Sequence, residues 1–137
     1  MQTHRRKHAR VSFSHTAEIT FADQSRETFL IKDISLAGMF LHSHKQFLAE
    51  DKCVITVTET WKRTSCTFTI AGRIIRSTAQ GTAIQFTSMP AHTYMMLQTS
   101  LLYRCHDPLA LGEEFAGNCP VILSDVSRAG EAAPSMN

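Results

Sequence analysis

No stretch of this 137-residue chain approaches the roughly 18 consecutive apolar residues of a membrane-spanning helix, so no membrane insertion is expected. Cysteine is scarce and unpatterned: Cys53, Cys66, Cys105 and Cys119 form no CxxC pair and no regular framework. They read as small apolar side chains or free thiols of a reducing compartment. Metal-ligand clusters are also missing. Cys105-His106 has only the distant Cys119 for company, and His42 and His44 share a strand face without a third ligand, so no metal is expected. No hydrophobic segment follows the charged N-terminus as a secretory signal requires, and a cytoplasmic protein is expected. Nor does the chain offer a nucleophile with an adjacent base and orienter, so neither enzymatic activity nor a cofactor is expected.

What is present describes an ordinary globular chain, with 43% hydrophobic and 19% charged residues. At 15.3 kDa, one domain burying about two-thirds of its unfolded surface is expected. Charge placement says more than charge total. The net charge is +2, yet the first ten residues hold four of the fourteen Lys and Arg and no acid. The remaining 127 residues carry ten basic and twelve acidic groups, a net of −2, which argues against a broad nucleic-acid footprint. Positive potential is concentrated in one short arm, which suits a compact anion.

From Arg10 to Phe21, Val11, Phe13, Ala17, Ile19 and Phe21 share one parity and polar residues the other, which predicts a strand with one buried face. Thr28 to Ile31 and Met39 to Leu41 continue the pattern on either side of Asp33–Gly38. Lys45 to Lys52 reads as a linker with room for one helical turn. Cys53 to Trp61 and Cys66 to Ser77 read as long strands joined by a polar turn, and Thr82 to Phe86 as a sixth after Gly81. The period then changes: Pro90, behind Ser88 as a candidate cap, opens a helix over about 90–105 with Tyr94, Leu97, Leu101 and Cys105 on one stripe. Residues 107–137 form a C-terminal extension, with a brief strand at Pro120–Leu123 and a frayed, partly disordered tail. Six antiparallel strands and a late helix predict a small all-β barrel packed by that helix.

Two motifs carry the functional signal. Arg6-Lys7-His8-Ala9-Arg10 fits RxxxR, and Asp33-Ile34-Ser35-Leu36-Ala37-Gly38 fits [D/N]xSxxG. With the Gly72–Arg76 strand, the Gly81 turn and the following helix, residues 5–105 resemble the PilZ domains, bacterial receptors for cyclic di-GMP. The resemblance implies a six-stranded antiparallel β-barrel that binds this ligand across its surface, with residues 1–10 as a flexible basic arm and 10–106 as barrel plus helix. Arg5, directly before the motif, is in that family associated with capture of two stacked ligand molecules. Residues after Pro108 fall outside the likeness.

The chemistry fits such a ligand. An Arg fork pairs bidentately with phosphate, stacks on a base, or addresses guanine O6 and N7. Four extended residues reach about 13 Å, so Arg6 and Arg10 can approach from different sides. Asp33 and Ser35, two apart on a strand, should share a face. The Asp33 carboxylate can accept from guanine N1–H and N2–H₂, which adenine lacks, while Ser35 adds a hydrogen bond and Gly38 a bend or close approach. A solvated tail and plain turn chemistry would account for either motif alone. Arg73 and Arg76 have opposite strand parity, so at most one, taken as Arg73, should face the ligand. Trp61 is a further stacking candidate, and Met95 and Met96 are core or partner surface. A receptor signalling by ligand-induced ordering of its arm is the first expectation, with an unidentified effector protein as partner and a monomer or homodimer as its state. An interaction module with weak or no nucleotide binding, and a nucleic-acid binder, are the rivals.

Overall fold

The computed structural model describes residues 9–12, 15–43, 46–61, 64–117 and 119–124. Arg5, Arg6, the tail after Ser124 and the Trp61 side chain, on which expectations were placed, lie outside the described residues. Among the described residues ten elements follow one another: β1 (Val11–Ser12), β2 (Thr16–Phe21), β3 (Arg26–Ile34), β4 (Gly38–His42), β5 (Lys52–Trp61), β6 (Thr64–Thr78), β7 (Gly81–Pro90), α1 (Ala91–Arg104), α2 (Pro108–Phe115) and β8 (Ile122–Ser124). No helix among the described residues is long and apolar enough to cross a membrane.

Six strands form a closed antiparallel barrel in the order β3-β2-β5-β6-β7-β4, and β4 returns to β3. Closure leaves no sheet edge along that ring, which removes the exposed ladder groups that invite aggregation. The alternating sequence makes the wall: Ala17, Ile19, Ile31, Ile55, Val57, Ile70, Ile74, Ile84 and Phe86 all point inward and are buried. Helix α1 adds Tyr94, Leu97 and Leu101 to the same core. It is tied down where β5 brings Glu59 beneath it. The Glu59 carboxylate accepts from Ser100 Oγ at 2.9 Å and pairs with Arg104 at 2.6 Å.

Local irregularities account for most departures from the sequence reading. The first strand is split into β1 and β2, each pairing with a different stretch of β3. The region 46–51 holds no helical turn; instead Phe47 packs against Phe21 with ring centroids 4.8 Å apart. Ser88 does not cap α1, because β7 runs on to Pro90, which is the N-cap and makes no side-chain cap bond. Cys105 is the extended C-cap of α1 and closes its stripe. Residues 108–115, unassigned from the sequence, form α2, whose Pro108 opens the helix behind the capping Asp107.

Candidate functional site

The Asp33–Gly38 segment is the turn from β3 into β4, and its geometry follows from one buried hydroxyl. Ser35 Oγ accepts from the backbone N–H groups of Ala37 (3.1 Å) and Gly38 (3.3 Å), and Ser35 N–H donates to the Gly38 carbonyl at 2.8 Å. Regular strand ends at Ile34, so Asp33 and Ser35 do not share a face. Asp33 sits half-buried toward the outside, whereas Ser35 is 4% exposed and holds the turn together. Gly38 is needed for close approach: a Cβ there would collide with the Ile84 carbonyl oxygen of the neighbouring strand. That strand also receives the turn directly, Phe86 N–H donating to the Ala37 carbonyl at 2.8 Å.

The two sequence motifs meet at this turn. Pairing of Val11 with Ile34 lays β1 beside the end of β3, which delivers Arg10 to Asp33. Arg10 Nη1 donates to Asp33 Oδ1 at 2.7 Å, with side chains 29% and 21% exposed. A cation and a carboxylate 23 residues apart in sequence are thus joined on the outer wall.

Strand register carries the site further round the barrel. On one outward row Asp33 lies opposite Phe40, Phe40 opposite Ala83, and Ala83 opposite Arg76. A second row runs Gly38, Gln85, Arg73, Lys52. Three strand spacings separate β3 from β6, an arc of about 14 Å. Arg73 is positioned rather than free: its Nε donates to Gln85 Oε1 at 2.9 Å and its Nη1 pairs with Glu50. The parity argument that set Arg73 against Arg76 fails because the β6–β7 register slips between Ile74 and Arg76, which turns both arginines outward. Arg76 was weighed in the sequence and set aside on parity, whereas Gln85 and Phe40 were not singled out there, since only pairing partners reveal the rows. A shallow groove of about 680 Å³ beside β2, β5 and β6 is lined by Lys52, Glu50 and Arg73 among others, but not by Asp33 or Gly38. It borders the far side of the outer wall and not the motif turn. No group of three or more His, Cys, Asp or Glu suited to a metal ion occurs among the described residues.

The chain is thus a closed barrel carrying an acid–Ser–Gly turn with Arg10 beside it, an architecture that comparison with known domains assigns to a family. The family profile described as the PilZ domain matches residues 4–103, and the chain belongs to the PilZ family. PilZ domains are receptor and adaptor modules. Among solved structures, the chain is similar to the Bacillus subtilis inhibitor of motility MotI/DgrA, at 11% identity and a TM-score of 0.61, covering 74% of this chain and 51% of that one. The chain therefore spans about half the length of that protein. It is also similar to the PilZ domain of CeSA from a cellulose-synthesizing bacterium, at 15% identity and a TM-score of 0.54, covering 69% and 96%. The PilZ domain of Escherichia coli YcgR, solved with c-di-GMP, gives 19% identity and a TM-score of 0.52, covering 74% and 92%. At these identities the likeness to solved structures concerns the fold. No curated protein sequence matches.

Proposed function

We propose that this protein is a cytoplasmic receptor for cyclic di-GMP, held on the outer wall of the barrel between the Asp33–Gly38 turn and Arg73. The observation that carries the reading is the meeting of Arg10 with Asp33 at that turn. Asp33 reads a guanine by accepting from its N1–H and N2–H₂, and Arg10 pairs with a phosphate or stacks on a base. Arg5 and Arg6, on the arm ahead of Ala9, close on the ligand from the other side. Arg73, held by Gln85 and Glu50, faces the distal phosphate or base. Ser35 and Gly38 serve by shaping the turn. Binding fixes the arm over the wall and alters the surface offered to an effector protein; no catalysis is involved.

Isothermal titration of the full chain with cyclic di-GMP tests this. Micromolar binding corresponds to about −8 kcal/mol and gives measurable heat at roughly 50 μM protein. Arg10→Ala and Asp33→Ala should each weaken binding at least tenfold while the circular dichroism spectrum stays unchanged. No heat from the unaltered protein overturns the reading.

A second reading, an interaction module with little nucleotide affinity, is favoured by one feature. On α1, Met95 is 64% and Tyr103 76% exposed beside a groove lined by Phe68 and Met96. Retention of a partner by the Arg10→Ala and Asp33→Ala variants, without nucleotide, would support it.

A further inference from the structure

Strand alternation turns one large aromatic of β4 outward. Met39 and Leu41 are fully buried, so Phe40 between them faces away from the core, where it is half-buried. The ring is seated rather than loose: a Cβ on Gly81 would come within 2.6 Å of Phe40 Cε2 and 2.8 Å of its Cζ. One edge of the ring therefore rests in space that only a glycine leaves open. Over the ring stands the ammonium of the exposed Lys32, 5.7 Å from the centroid. The β3–β4 register slips between Ile31 and Asp33, and that slip places Lys32 beside Phe40. Asp33 lies directly opposite Phe40, which sets their Cβ atoms about 5 Å apart on one face. On its other side Asp33 faces Ser12 of β1, the strand that delivers Arg10. A planar base that meets the Asp33 carboxylate from the side away from Arg10 lies across β4, over the Phe40 ring. Ala83, next along the row, adds only a methyl group and keeps the wall low beyond it.

Resting on the nucleotide reading above and deepening it, we propose that Phe40 is the platform on which the guanine read by Asp33 stacks, with Lys32 as the cation beside it. Arg10 donates to Asp33 Oδ1, and a carboxylate has about four acceptor positions, so the edge contact to guanine is compatible with that pair. The edge contact separates guanine from adenine but leaves both flat faces of the base unmatched. An aromatic ring on the same face supplies a stacking partner, and because Gly81 already seats it, binding need not order it. Lys32 sits on a flexible stem. Displaced outward by the thickness of a base, its ammonium meets guanine O6 and N7 or the adjoining phosphate. Asp33 then decides which base is held, and Phe40 how tightly.

Titration with cyclic di-GMP compares the full chain with Phe40→Leu, which keeps apolar bulk without an aromatic face, and Phe40→Tyr, which keeps that face. Phe40→Leu should bind about five- to fiftyfold more weakly, and Phe40→Tyr within about twofold of the unaltered protein. Lys32→Gln should bind about two- to fivefold more weakly, with a shallower dependence on salt. The unaltered protein supplies a readout that no variant affects: with labelled phenylalanine, the Phe40 ring protons of the saturated complex should show a nuclear Overhauser contact to guanine H8. Should Phe40→Leu fail to fold, that contact decides alone. Phe40→Leu binding within about twofold of the unaltered protein, Phe40→Tyr as weak as Phe40→Leu, or a saturated complex without the contact overturns the platform and leaves the receptor reading standing. Unchanged binding by Lys32→Gln overturns the part given to the lysine. No heat from the unaltered protein overturns the receptor reading itself and this inference with it.

Discussion

Replacing Gly38 with alanine probes how far the motif turn is a piece of architecture. An alanine Cβ would overlap the Ile84 carbonyl oxygen and sit 3.3 Å from Gln85 Cα, both backbone atoms. Neither can swing aside. Ile84 is 3% exposed, is paired to Met39 on one side and Ile74 on the other, and lies in a ring with no free edge. Relief requires β4 and β7 to part by about the depth of the overlap, straining the Phe86–Ala37 hydrogen bond as well. Small-to-large changes in packed interiors cost about 1–3 kcal/mol, and a clash with backbone belongs at the upper end. For a chain of this size, 3 kcal/mol corresponds to a drop of about 10 °C in the thermal midpoint and a fall of about 1.5 M in the urea midpoint. Gly112→Ala is the internal control. Its Cβ would meet nothing within 4 Å on the exposed face of α2, so it should stabilise by about 0.5–1 kcal/mol. Urea unfolding followed by circular dichroism measures both. Two variants of equal stability, or a Gly38→Ala midpoint within about 0.2 M of the original, would refute the close-approach argument.

The Ser35→Ala variant loses the acceptor for two turn N–H groups and should be destabilised by about 1–2 kcal/mol, read from the same urea curves; an unchanged midpoint would show that the turn does not need the hydroxyl. Glu59→Ala should lower stability by about 2 kcal/mol and speed hydrogen exchange throughout α1, because Ser100 and Arg104 lose the anchor that ties the helix to β5. Burial, aided by Asp51, pushes the Cys53 thiol up to about 11. The folded state holds that proton more tightly than the unfolded chain, so the stabilisation is complete below about pH 9 and is lost as pH rises toward 11. Urea midpoints between pH 8 and 11 should therefore fall less steeply for Cys53→Ala than for the unaltered protein, and identical slopes would remove the thiol as a cause.

Much of the fold is legible in one dimension because it rests on local periodicity. Alternation in Ala17, Ile19 and Phe21, or in Ile55 and Val57, expresses a wall with one buried face, and the Tyr94–Leu97–Leu101 spacing expresses a helix laid on it. Six such strands with short turns leave a closed ring as the economical way to satisfy their ladders. The motif residues were equally visible, since their types and intervals are properties of the chain. Pairing was not visible. The slip between Ile74 and Arg76, which turns Arg76 to the same side as Arg73, exists because β7 offers one residue fewer than β6 over that stretch, and no feature of β6 alone records it. The role of Ser35 depended on where regular strand stops. Helix α2, short and with Leu111 alone buried, has too few residues to declare itself by spacing.

By itself, then, the order of residues determined the wall, the helix that packs on it and the chemical groups carried by the two motifs, because backbone geometry repeats every two or 3.6 residues and hydrophobic burial follows that repeat. Tertiary structure alone decided which groups meet. Arg10 reaches Asp33, and Glu114 reaches Ala9, only because strand closure and helix docking bring together segments 23 and 105 residues apart. Contacts at such separations are set by the packing of the whole core and leave no mark on the neighbours of either residue.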